Sequence, residues 1–221
     1  MTADKRSCSD GGGSPTSLVF ATHNHGKLQQ VQEYLRGSLS LPIRGLGSST
    51  APLPEVEETG TTFAENAWLK AKTIGEALGA VVIADDSGLV VPVLGGQPGV
   101  FSARYAGEGA TDEENCEKVL AALADVHGEA RCATFVCALA LYRPGSRAWI
   151  MHGVCHGFLL REPLGLDGFG YDPLFYYPPL RATFASLPRE ECLAVSHRGQ
   201  VLRAFSQHWK ESLASMGGRM E

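Results

Sequence analysis

The amino-acid sequence predicts an α/β protein built around a mixed sheet. Short apolar runs that suit buried strands, at 18–21 and 81–84, alternate with segments of helical periodicity. Two later runs rich in β-forming residues are separated by Pro144-Gly145, which indicates an antiparallel hairpin. With 221 residues, of which 44% are hydrophobic, the chain can bury a large core without disulfides. Helices mixed with strands of both orientations are therefore expected.

The N-terminal part of the chain divides into a tail, a strand, a helix and an irregular segment. Residues 1–16 are polar and rich in glycine and serine, so they predict a disordered tail before a single folded domain at 17–221. The strand at 18–21 precedes a helix over 26–35, where apolar residues recur three and four positions apart. The segment 37–58 contains several prolines and is expected to be irregular, with one short strand at most.

A second helix is predicted between a threonine cap and a glycine stop. Thr61 or Thr62 supplies the cap, and Glu65 stands where a capping box requires it. The helix ends at Gly79, because glycine is the usual residue just past a helix C-terminus. The apolar run at 81–84 then forms a second buried strand.

The rest of the chain is predicted to alternate glycine-rich loops with helices and the hairpin. In order, the predicted elements are a long loop at 95–109, a helix at 111–124, strands at 131–142 and 148–158, a loop at 165–172, and an amphipathic helix at 199–216. No internal repeat is visible.

Composition and charge exclude several classes of protein. The 19 basic and 24 acidic side chains give a net charge of −5, so the chain lacks the overall positive charge that favours nucleic-acid binding. No run approaches the roughly 18 apolar residues of a membrane-spanning helix, and the N-terminus lacks the apolar segment of a secretion signal. The six cysteines show no spacing typical of disulfide frameworks or metal sites. A cytoplasmic protein with reduced thiols is expected.

The first of four polar clusters joins the first strand to the first helix. A strand–loop–helix turn directs backbone N–H groups and the positive helix end at one point, which suits a phosphate. Lys27 adds a positive charge there. The alternative is a plain N-cap by Asn24 with a surface lysine. The cluster consists of Thr22, His23, Asn24, His25, Gly26 and Lys27.

The second cluster is acidic and precedes the second helix. It contains Glu55, Glu57 and Glu58, and carboxylates outside a helix suit Mg²⁺, which takes one or two carboxylates together with substrate oxygens. Asn66 and Lys70 are four residues apart and share a helix face, from which Lys70 could reach a phosphate. The alternatives are a solvated acidic loop and a surface lysine.

The third cluster, Asp85-Asp86-Ser87-Gly88, follows the apolar run at 81–84. Two adjacent aspartates at the end of a buried strand need compensation by a metal, hydrogen bonds or solvent. The carboxyl ends of strands are where α/β sheets bind ligands, and adjacent residues point to opposite faces. One aspartate is therefore expected to face a site, and the other to bind nearby backbone N–H groups. The alternative is a simple turn.

The fourth cluster combines aromatic, acidic and basic side chains. An exposed ring of Phe169 or Tyr171 could stack on a nucleobase while Asp172 accepts hydrogen bonds from it. His197 and Arg198, near a predicted helix start, could bind a carbonyl or a phosphate. The alternative is that the aromatic rings fill the core.

These clusters, in this order, resemble the inosine triphosphatase family of bacterial type, whose members are pyrophosphatases acting on deaminated purine triphosphates (dITP/XTP pyrophosphatases). The resemblance covers most of the chain, and the presence of five motifs in the right order argues against a chance match. The matching segments are ATHNHGK at 21–27, EETGTTFAENAWLKA at 57–71, IADDSGLVVPVLGGQPGVFSARYAG at 83–107, GFGYDP at 168–173 and SHRGQ at 196–200.

The resemblance implies Mg²⁺-dependent hydrolysis of ITP, dITP and XTP to the monophosphate and pyrophosphate. It also implies an elongated, two-lobed α/β fold with a central cleft, and a homodimer. By position, Glu57 and Asp86 would bind Mg²⁺, and Asp86 would accept the proton of the attacking water. Ser87 and Lys70 would contact the substrate.

The same resemblance implies two binding regions. Residues Thr22 to Lys27 would hold the triphosphate, with no catalytic role for His23 or His25. Selecting a 6-oxo purine over adenine calls for hydrogen-bond donors such as His197 or Arg198. The base pocket would consist of Phe169, Gly170, Tyr171, Asp172, His197 and Arg198.

One position departs from the pattern of the family. Proteins of this kind usually carry a lysine after a Glu-Glu pair, whereas here Glu190-Glu191 is followed by Cys192. The resemblance places that lysine at the nucleotide site, so Cys192 is expected to weaken the apparent affinity for ITP.

Two other functions stay open on the sequence alone. The first is a nucleotide-binding module without turnover, and the second is a pyrophosphatase of broader specificity. Asp86 together with Glu57 favours an enzyme, because a module without turnover would not need Asp86.

Overall fold

The computed structural model describes residues 17–39, 41–48, 52–145 and 148–217. The predicted tail at 1–16 and part of the hairpin turn, Ser146 and Arg147, lie outside the described residues. The predicted α/β class with a mixed sheet is confirmed. Its elements are β1 (Leu18–Phe20), α1 (His25–Leu35), β2 (Ile43–Gly45), α2 (Phe63–Leu78), β3 (Val82–Val90), α3 (Asp112–Ala122), β4 (Cys132–Tyr142), β5 (Trp149–Leu159), β6 (Phe175–Tyr177), β7 (Ala182–Thr183), α4 (Arg189–Val195) and α5 (His197–Gly217).

The sheet has seven strands in the order β2-β1-β3-β4-β5-β6-β7. Strand β1 is parallel to both β2 and β3, whereas each pair from β3 to β7 is antiparallel. The pairing of β1 with β3 ends at Phe20 opposite Ile83, although β3 continues to Val90. Beyond Ile83, the edge of β3 on the β1 side is therefore free for a ligand site at the carboxyl end of β1.

Three apolar clusters pack against the sheet. Helices α1 and α5 cover one face, where Leu35, Phe205 and Trp209 are fully buried. Helix α2 covers the other face through small residues such as Ala67 and Ala71. The third cluster lies around α3, β6 and the ends of β3, β4 and β5 that lie away from β1. The chain thus has separate cores toward the two ends of its sheet.

The predicted boundaries of α2 are confirmed by its caps. Thr62 is the N-cap and forms a reciprocal capping box with Glu65, which satisfies two backbone N–H groups at the start of the helix. Gly79 ends the helix with a φ of 58°, a left-handed conformation that glycine adopts without steric penalty. This rigid helix presents Asn66 and Lys70 toward β3.

The prediction that the second buried strand ends at Ala84 is wrong. Strand β3 continues to Val90, so Asp85 and Asp86 lie within a strand and neither at its end nor in a turn. Pairing with β4 extends from Val82 to Val90 and satisfies the backbone groups on that side of β3, while nearby cations compensate the carboxylates. An apolar pattern cannot reveal such a strand, because its middle is polar.

Other short elements were not predicted. The glycine-rich stretch at 95–109 contains a 3₁₀ segment, Gly99–Arg104. Strands β6 and β7 and helix α4 are too short to give a periodic signal, whereas α5 begins at His197, two residues before the predicted start. Within the described part of the chain, no helix is long and apolar enough to cross a membrane.

Candidate active site

Asp85 and Asp86 lie side by side in β3, just past the last residue that β1 pairs with. Because successive side chains of a strand point to opposite faces, Asp85 faces α1 and α5 while Asp86 faces α2. The expected placement of the two side chains on opposite faces is confirmed. The expectation that the structural aspartate binds backbone N–H groups is wrong for Asp85, because Lys27 and Arg198 compensate it, whereas the backbone N–H of Ser87 binds Asp86. The two faces differ in their charged partners.

On the α2 face, Asp86 is held by hydrogen bonds and approached by one cation. Its Oδ2 accepts a hydrogen bond from Asn66 Nδ2 at 3.1 Å, and its Oδ1 accepts one from the backbone N of Ser87 at 3.0 Å. Lys70 Nζ is 3.7 Å from Asp86 Oδ1 and only 2.8 Å from Glu58 Oε1. Lys70 is therefore shared between two carboxylates.

The electrostatics of this face leave Asp86 undercompensated. Burial raises the pKa of the Asp86 carboxyl, and the charge of Glu58 adds to this, although Lys70 opposes it. Burial alone would lower the pKa of Lys70, but Asp86, Asp85 and Glu58 raise it, so this lysine stays charged. A buried carboxylate with a raised pKa is a stronger proton acceptor than an ordinary carboxylate.

On the opposite face, Asp85 is surrounded by cations. Its Oδ2 is 3.3 Å from Lys27 Nζ and 3.2 Å from Arg198 Nη2. Burial alone would raise its pKa, but Lys27 and Arg198 hold the pKa of this carboxyl far below its ordinary value. The other oxygen, Oδ1, is buried and has no hydrogen-bond partner among the residues that the structure describes.

Arg198 connects four parts of the site. It donates to Asp85, to Ser87 Oγ at 2.8 Å and to Gln30 Oε1 at 3.1 Å, and its guanidinium lies 5.4 Å from the centre of the Phe169 ring. The residue is fully buried, and the charge of Asp85 raises its pKa against the effect of burial. Through these contacts Arg198 holds the side chains of Asp85 and Ser87 in place.

The turn between β1 and α1 has the geometry of a helix N-cap. Asn24 Oδ1 accepts from the backbone N of Lys27 at 2.9 Å, and Thr22 Oγ1 accepts from the backbone N of Asn24 at 3.1 Å. His23 and His25 are exposed. A Cβ on Gly26 would lie 3.6 Å from the Phe169 ring, so the turn approaches the aromatic loop closely. The capping alternative is thus correct for Asn24, and the same cap directs N–H groups toward the site.

A pocket opens on the Asp85 face, between the two ends of the sheet. It brings together the start of α1, the middle of β3, the aromatic loop and the start of α5. Of the predicted site residues, Thr22, His23, His25, Gly26, Glu57, Lys70 and Asp86 are not part of its lining. Its lining includes Asn24, Lys27, Ser87, Phe169, Gly170, Tyr171, Asp172, Cys192, Ser196, His197 and Arg198.

The aromatic loop divides its two rings between pocket and core. Phe169 is half-buried beside Arg198, whereas Tyr171 is buried and donates its hydroxyl to Ser102 O at 2.8 Å. The core-filling alternative therefore holds for Tyr171. Asp172 accepts from the backbone N of Phe169 at 3.1 Å, and burial raises its pKa to about 6. Asp172 is thus a carboxyl that changes protonation close to neutral pH.

His197 and Cys192 contribute neutral groups to the pocket. Burial lowers the pKa of His197 well below its ordinary value, and the ring stacks on Phe135 with 4.8 Å between centroids. Its Nδ1 is buried and lacks a partner within the described ranges. Burial also raises the pKa of the Cys192 thiol to about 12, with a further contribution from Asp172, so this side chain carries no charge.

Sequence reasoning missed part of the site. Of the two adjacent glutamates, Glu58 contacts Lys70 while Glu57 is exposed, and they lie in a segment that is neither helix nor strand, where no periodicity distinguishes them. Asp85 and Asn66 were recognised in their clusters without a role. Arg104 was quoted only within a motif, and no local signal marked it.

The donor set around Asp86 fits a hard divalent cation. The described residues contain no group of three or more histidine, cysteine, aspartate or glutamate side chains able to hold a metal. Asp86 and Glu58 nevertheless provide two carboxylates on either side of Lys70, and Mg²⁺ needs only one or two when phosphate oxygens and water complete its shell. The raised pKa of Asp86 shows that the local cations do not fully compensate this carboxylate.

Comparison with known proteins agrees with the motifs. The family model described as the Ham1 family matches residues 18–208. A dITP/XTP pyrophosphatase of Geobacter sulfurreducens is 48% identical over 194 residues, which is 87% of this chain and 96% of the relative. A dITP/XTP pyrophosphatase of Coxiella burnetii is 44% identical over 191 residues, 86% of this chain and 94% of the relative.

Solved structures give the same result. A HAM1 protein from Coxiella burnetii superposes with a TM-score of 0.80 at 43% identity, covering 88% of this chain and 98% of that one. The Ham1 protein of Staphylococcus aureus gives a TM-score of 0.79 at 38% identity, covering 89% and 99%. The resemblance stated from the sequence motifs is confirmed, and the chain belongs to the Ham1 family.

Proposed function

We propose that this protein hydrolyses deaminated purine nucleoside triphosphates, namely ITP, dITP and XTP, to the monophosphate and pyrophosphate. The observation that carries the proposal is Asp86, a buried carboxylate with a raised pKa that is fixed by Asn66 and lies beside Lys70. It directly precedes Ser87, which lines the pocket. The names of the relatives in Geobacter and Coxiella support this choice of substrate.

In the proposed reaction Asp86 is the proton acceptor. The oxygen of a water molecule bonds to the α-phosphorus, and the bond from that phosphorus to the bridging oxygen breaks. The electron pair of this bond leaves with pyrophosphate, and the proton of water passes to a carboxylate oxygen of Asp86. Burial suits Asp86 to this task, because it raises the pKa of the carboxyl and so makes the carboxylate a stronger base.

We further propose Mg²⁺ as the cofactor, held by Asp86 and Glu58. Bound there, Mg²⁺ would neutralise phosphate charge and polarise the reacting centre. Glu58 replaces the expected Glu57 in this proposal, because Glu58 shares Lys70 with Asp86 whereas Glu57 is exposed. Lys70 then serves to keep the two carboxylates together and to contact the phosphates.

The phosphate chain would extend along the turn between β1 and α1. Lys27 and the N–H groups at the start of α1 supply positive charge there, and Ser87 offers a hydroxyl that already accepts from Arg198. Thr22 and Asn24 shape this turn through their caps. His23, His25 and Gly26 belong to the same turn and would lie beside the phosphates in this proposal.

The base would occupy the pocket between the aromatic loop and α5. Phe169 offers a half-buried ring for stacking, and Gly170, Tyr171 and Asp172 form the adjoining wall. The buried Nδ1 of His197 lacks a protein partner among the described residues, so as a donor it can meet a 6-oxo group, whereas the 6-amino group of adenine offers it no acceptor. Asp172 and Arg198 complete the polar surroundings of the base.

We also propose a homodimer of two-lobed subunits in the cytoplasm. On β5 three alternate side chains, His152, Val154 and His156, are exposed, and Val154 is 42% exposed, so this part of the sheet is uncovered beyond α2. The separate cores toward the two ends of the sheet support two lobes with the pocket between them. The described cysteines are free thiols, as a reducing compartment requires.

The test is the analysis of products formed from ITP with Mg²⁺. Equal amounts of IMP and pyrophosphate are expected, with loss of turnover when EDTA removes the metal. Formation of IDP and phosphate would contradict the proposed site of cleavage. Binding of ITP without turnover would instead favour the nucleotide-binding module.

A further inference from the structure

Arg104 lies beside Glu58 at the proposed reaction centre and is not part of the pocket lining. It is the last residue of the 3₁₀ segment Gly99–Arg104. Its Nη1 is 4.0 Å from Glu58 Oε2, on the side of the carboxylate opposite Lys70, whose Nζ is 2.8 Å from Oε1. Glu58 thus lies between two cations, Lys70, which also contacts Asp86, and Arg104.

The guanidinium of Arg104 keeps its hydrogen-bonding capacity. It forms ion pairs with two carboxylates, with Glu58 at 4.0 Å and with the 89% exposed Glu108 at 3.5 Å. Its side chain donates no hydrogen bond to another described residue. Arg198, by contrast, donates to Asp85, Ser87 and Gln30. Ion pairs with exposed partners add little to the free energy of unfolding, so a contribution to stability does not explain the charge at this position.

The position of Arg104 is fixed while its charge stays accessible. Its guanidinium lies 5.5 Å from the centre of the Phe101 ring, and its side chain is 29% exposed. Ser102 and Ala103, just before it, line the pocket proposed for the base, whereas Arg104 itself contacts Glu58 on the α2 side. The 3₁₀ segment therefore contacts the base pocket through Ser102 and Ala103 and contacts Glu58 through its last residue, Arg104.

We propose that Arg104 binds the pyrophosphate portion of the substrate and stabilises it as the leaving group. The inference rests on the proposed function. A nucleotide whose base occupies the pocket and whose α-phosphate lies at Asp86 can carry its β- and γ-phosphates past the N–H groups at the start of α1 to the α2 side of β3, where Lys70 and Arg104 flank Glu58. The planar guanidinium suits two oxygens of one phosphate, and the bridging oxygen gains negative charge as its bond to the α-phosphorus breaks.

The experiment compares the full-length protein with Arg104→Gln, Arg104→Lys and Arg36→Gln. Arg36 is exposed at the far end of α1 and is a matched control for the loss of one positive charge. Binding of pyrophosphate and of IMP is measured separately by calorimetry with Mg²⁺, and kcat and KM are measured with ITP. Thermal unfolding of each variant verifies that it is folded.

The expected result is a loss of pyrophosphate affinity of about tenfold or more in Arg104→Gln, with IMP affinity unchanged and kcat for ITP reduced. Arg104→Lys should recover part of both, and Arg36→Gln should match the wild type. Unchanged pyrophosphate affinity in Arg104→Gln would overturn the inference. So would an equal loss of IMP affinity, or a change confined to the Mg²⁺ requirement, which would mean that Arg104 only positions Glu58.

The two proposals fail in different ways. If the wild type releases no pyrophosphate from ITP, the proposed function fails, while a pyrophosphate affinity that depends on Arg104 would still support an anion site. If the wild type turns over ITP and Arg104→Gln equals it in turnover and in pyrophosphate binding, only the inference fails. A wild type that does not bind pyrophosphate at all overturns the role of Arg104.

Discussion

Two neighbouring residues of β3, Asp85 and Asp86, are both buried but have opposite electrostatics. Two cations, Lys27 and Arg198, contact Asp85 and keep its pKa far below the ordinary value. Asp86 has Lys70 as its near cation and shares it with Glu58, so its pKa is raised. Burial is common to both, and the number of compensating charges makes the difference.

The comparison separates a structural carboxylate from a reactive one. An aspartate with a strongly lowered pKa is a poor proton acceptor but a firm anchor, which fits Asp85 as the residue that holds Lys27 and Arg198 in place. An undercompensated carboxylate can gain by accepting a proton or a divalent cation. The alternation of side chains along one strand thus puts anchor and base on adjacent positions.

The largest effect is expected for Asp86→Asn. Without a proton acceptor and a metal ligand, kcat for ITP should fall by at least about 10³-fold. The fold should persist, because the amide oxygen can still accept from the backbone N of Ser87, and the loss of the hydrogen bond from Asn66 is offset by removal of a charge that burial disfavours. Steady-state pyrophosphate release and chemical unfolding measure both quantities. Near-normal kcat would remove Asp86 from the mechanism.

Asp85→Asn should primarily destabilise the protein. Removing one partner of a buried ion pair costs about 3–5 kcal/mol in the free energy of unfolding, and here Lys27 and Arg198 would be left facing each other. Asp125→Asn, at an exposed position, is the control. Denaturant unfolding at neutral pH gives the values. A loss no larger than that of the control would contradict the anchoring role of Asp85.

Asp172 provides a pH-dependent test on the pocket side. Its pKa is about 6 in the folded chain against an ordinary value of 3.8, because burial outweighs the hydrogen bond from Phe169 and the charge of Arg198, and Asp112 opposes ionisation too. The folded state therefore binds the proton more tightly, and this residue makes the protein less stable as the pH rises from about 4 through 6, by about 3 kcal/mol in total.

Replacement by asparagine removes this dependence. Asp172→Asn should gain stability relative to the wild type as the pH rises from about 4 to about 6, the interval between the two pKa values. Urea unfolding of both proteins across this interval measures the difference. A difference that stays constant with pH would show that Asp172 titrates as an ordinary carboxyl.

The smallest effect is expected for Cys192→Lys. The neutral thiol cannot offset the nearby charge of Asp172, whereas a lysine would bring a cation to the nucleotide pocket. KM for ITP should fall about fivefold, which corresponds to about 1 kcal/mol. Cys192→Met, which changes size without charge, is the control. An equal or lower KM in the natural protein would reject this role of Cys192.

The sequence predicted those parts of the molecule that have a local signal. The cap at Thr62, the stop at Gly79 and the alternation of Asp85 and Asp86 follow from short-range rules, and each is present. The continuation of β3 to Val90 was not predictable, because pairing with β4 and cations from distant helices stabilise a polar strand interior.

Prediction of the site residues from the sequence was limited in the same way to local signals. Lys27 and Asn24 were found because a turn between strand and helix marks itself in the sequence. The choice between Glu57 and Glu58, and the position of Arg104, depend on which side of an extended or 3₁₀ segment faces α2. Tertiary packing decides that orientation, so no spacing rule could supply it.

The most direct test of the proposed function is pyrophosphate release with Mg²⁺ from ITP, dITP, XTP, GTP, ATP and CTP, measured side by side. The proposed pocket predicts fast turnover of the first three and rates lower by orders of magnitude for the others. Similar rates on ATP and ITP would contradict selection of a 6-oxo purine and would identify a triphosphate pyrophosphatase of broad specificity.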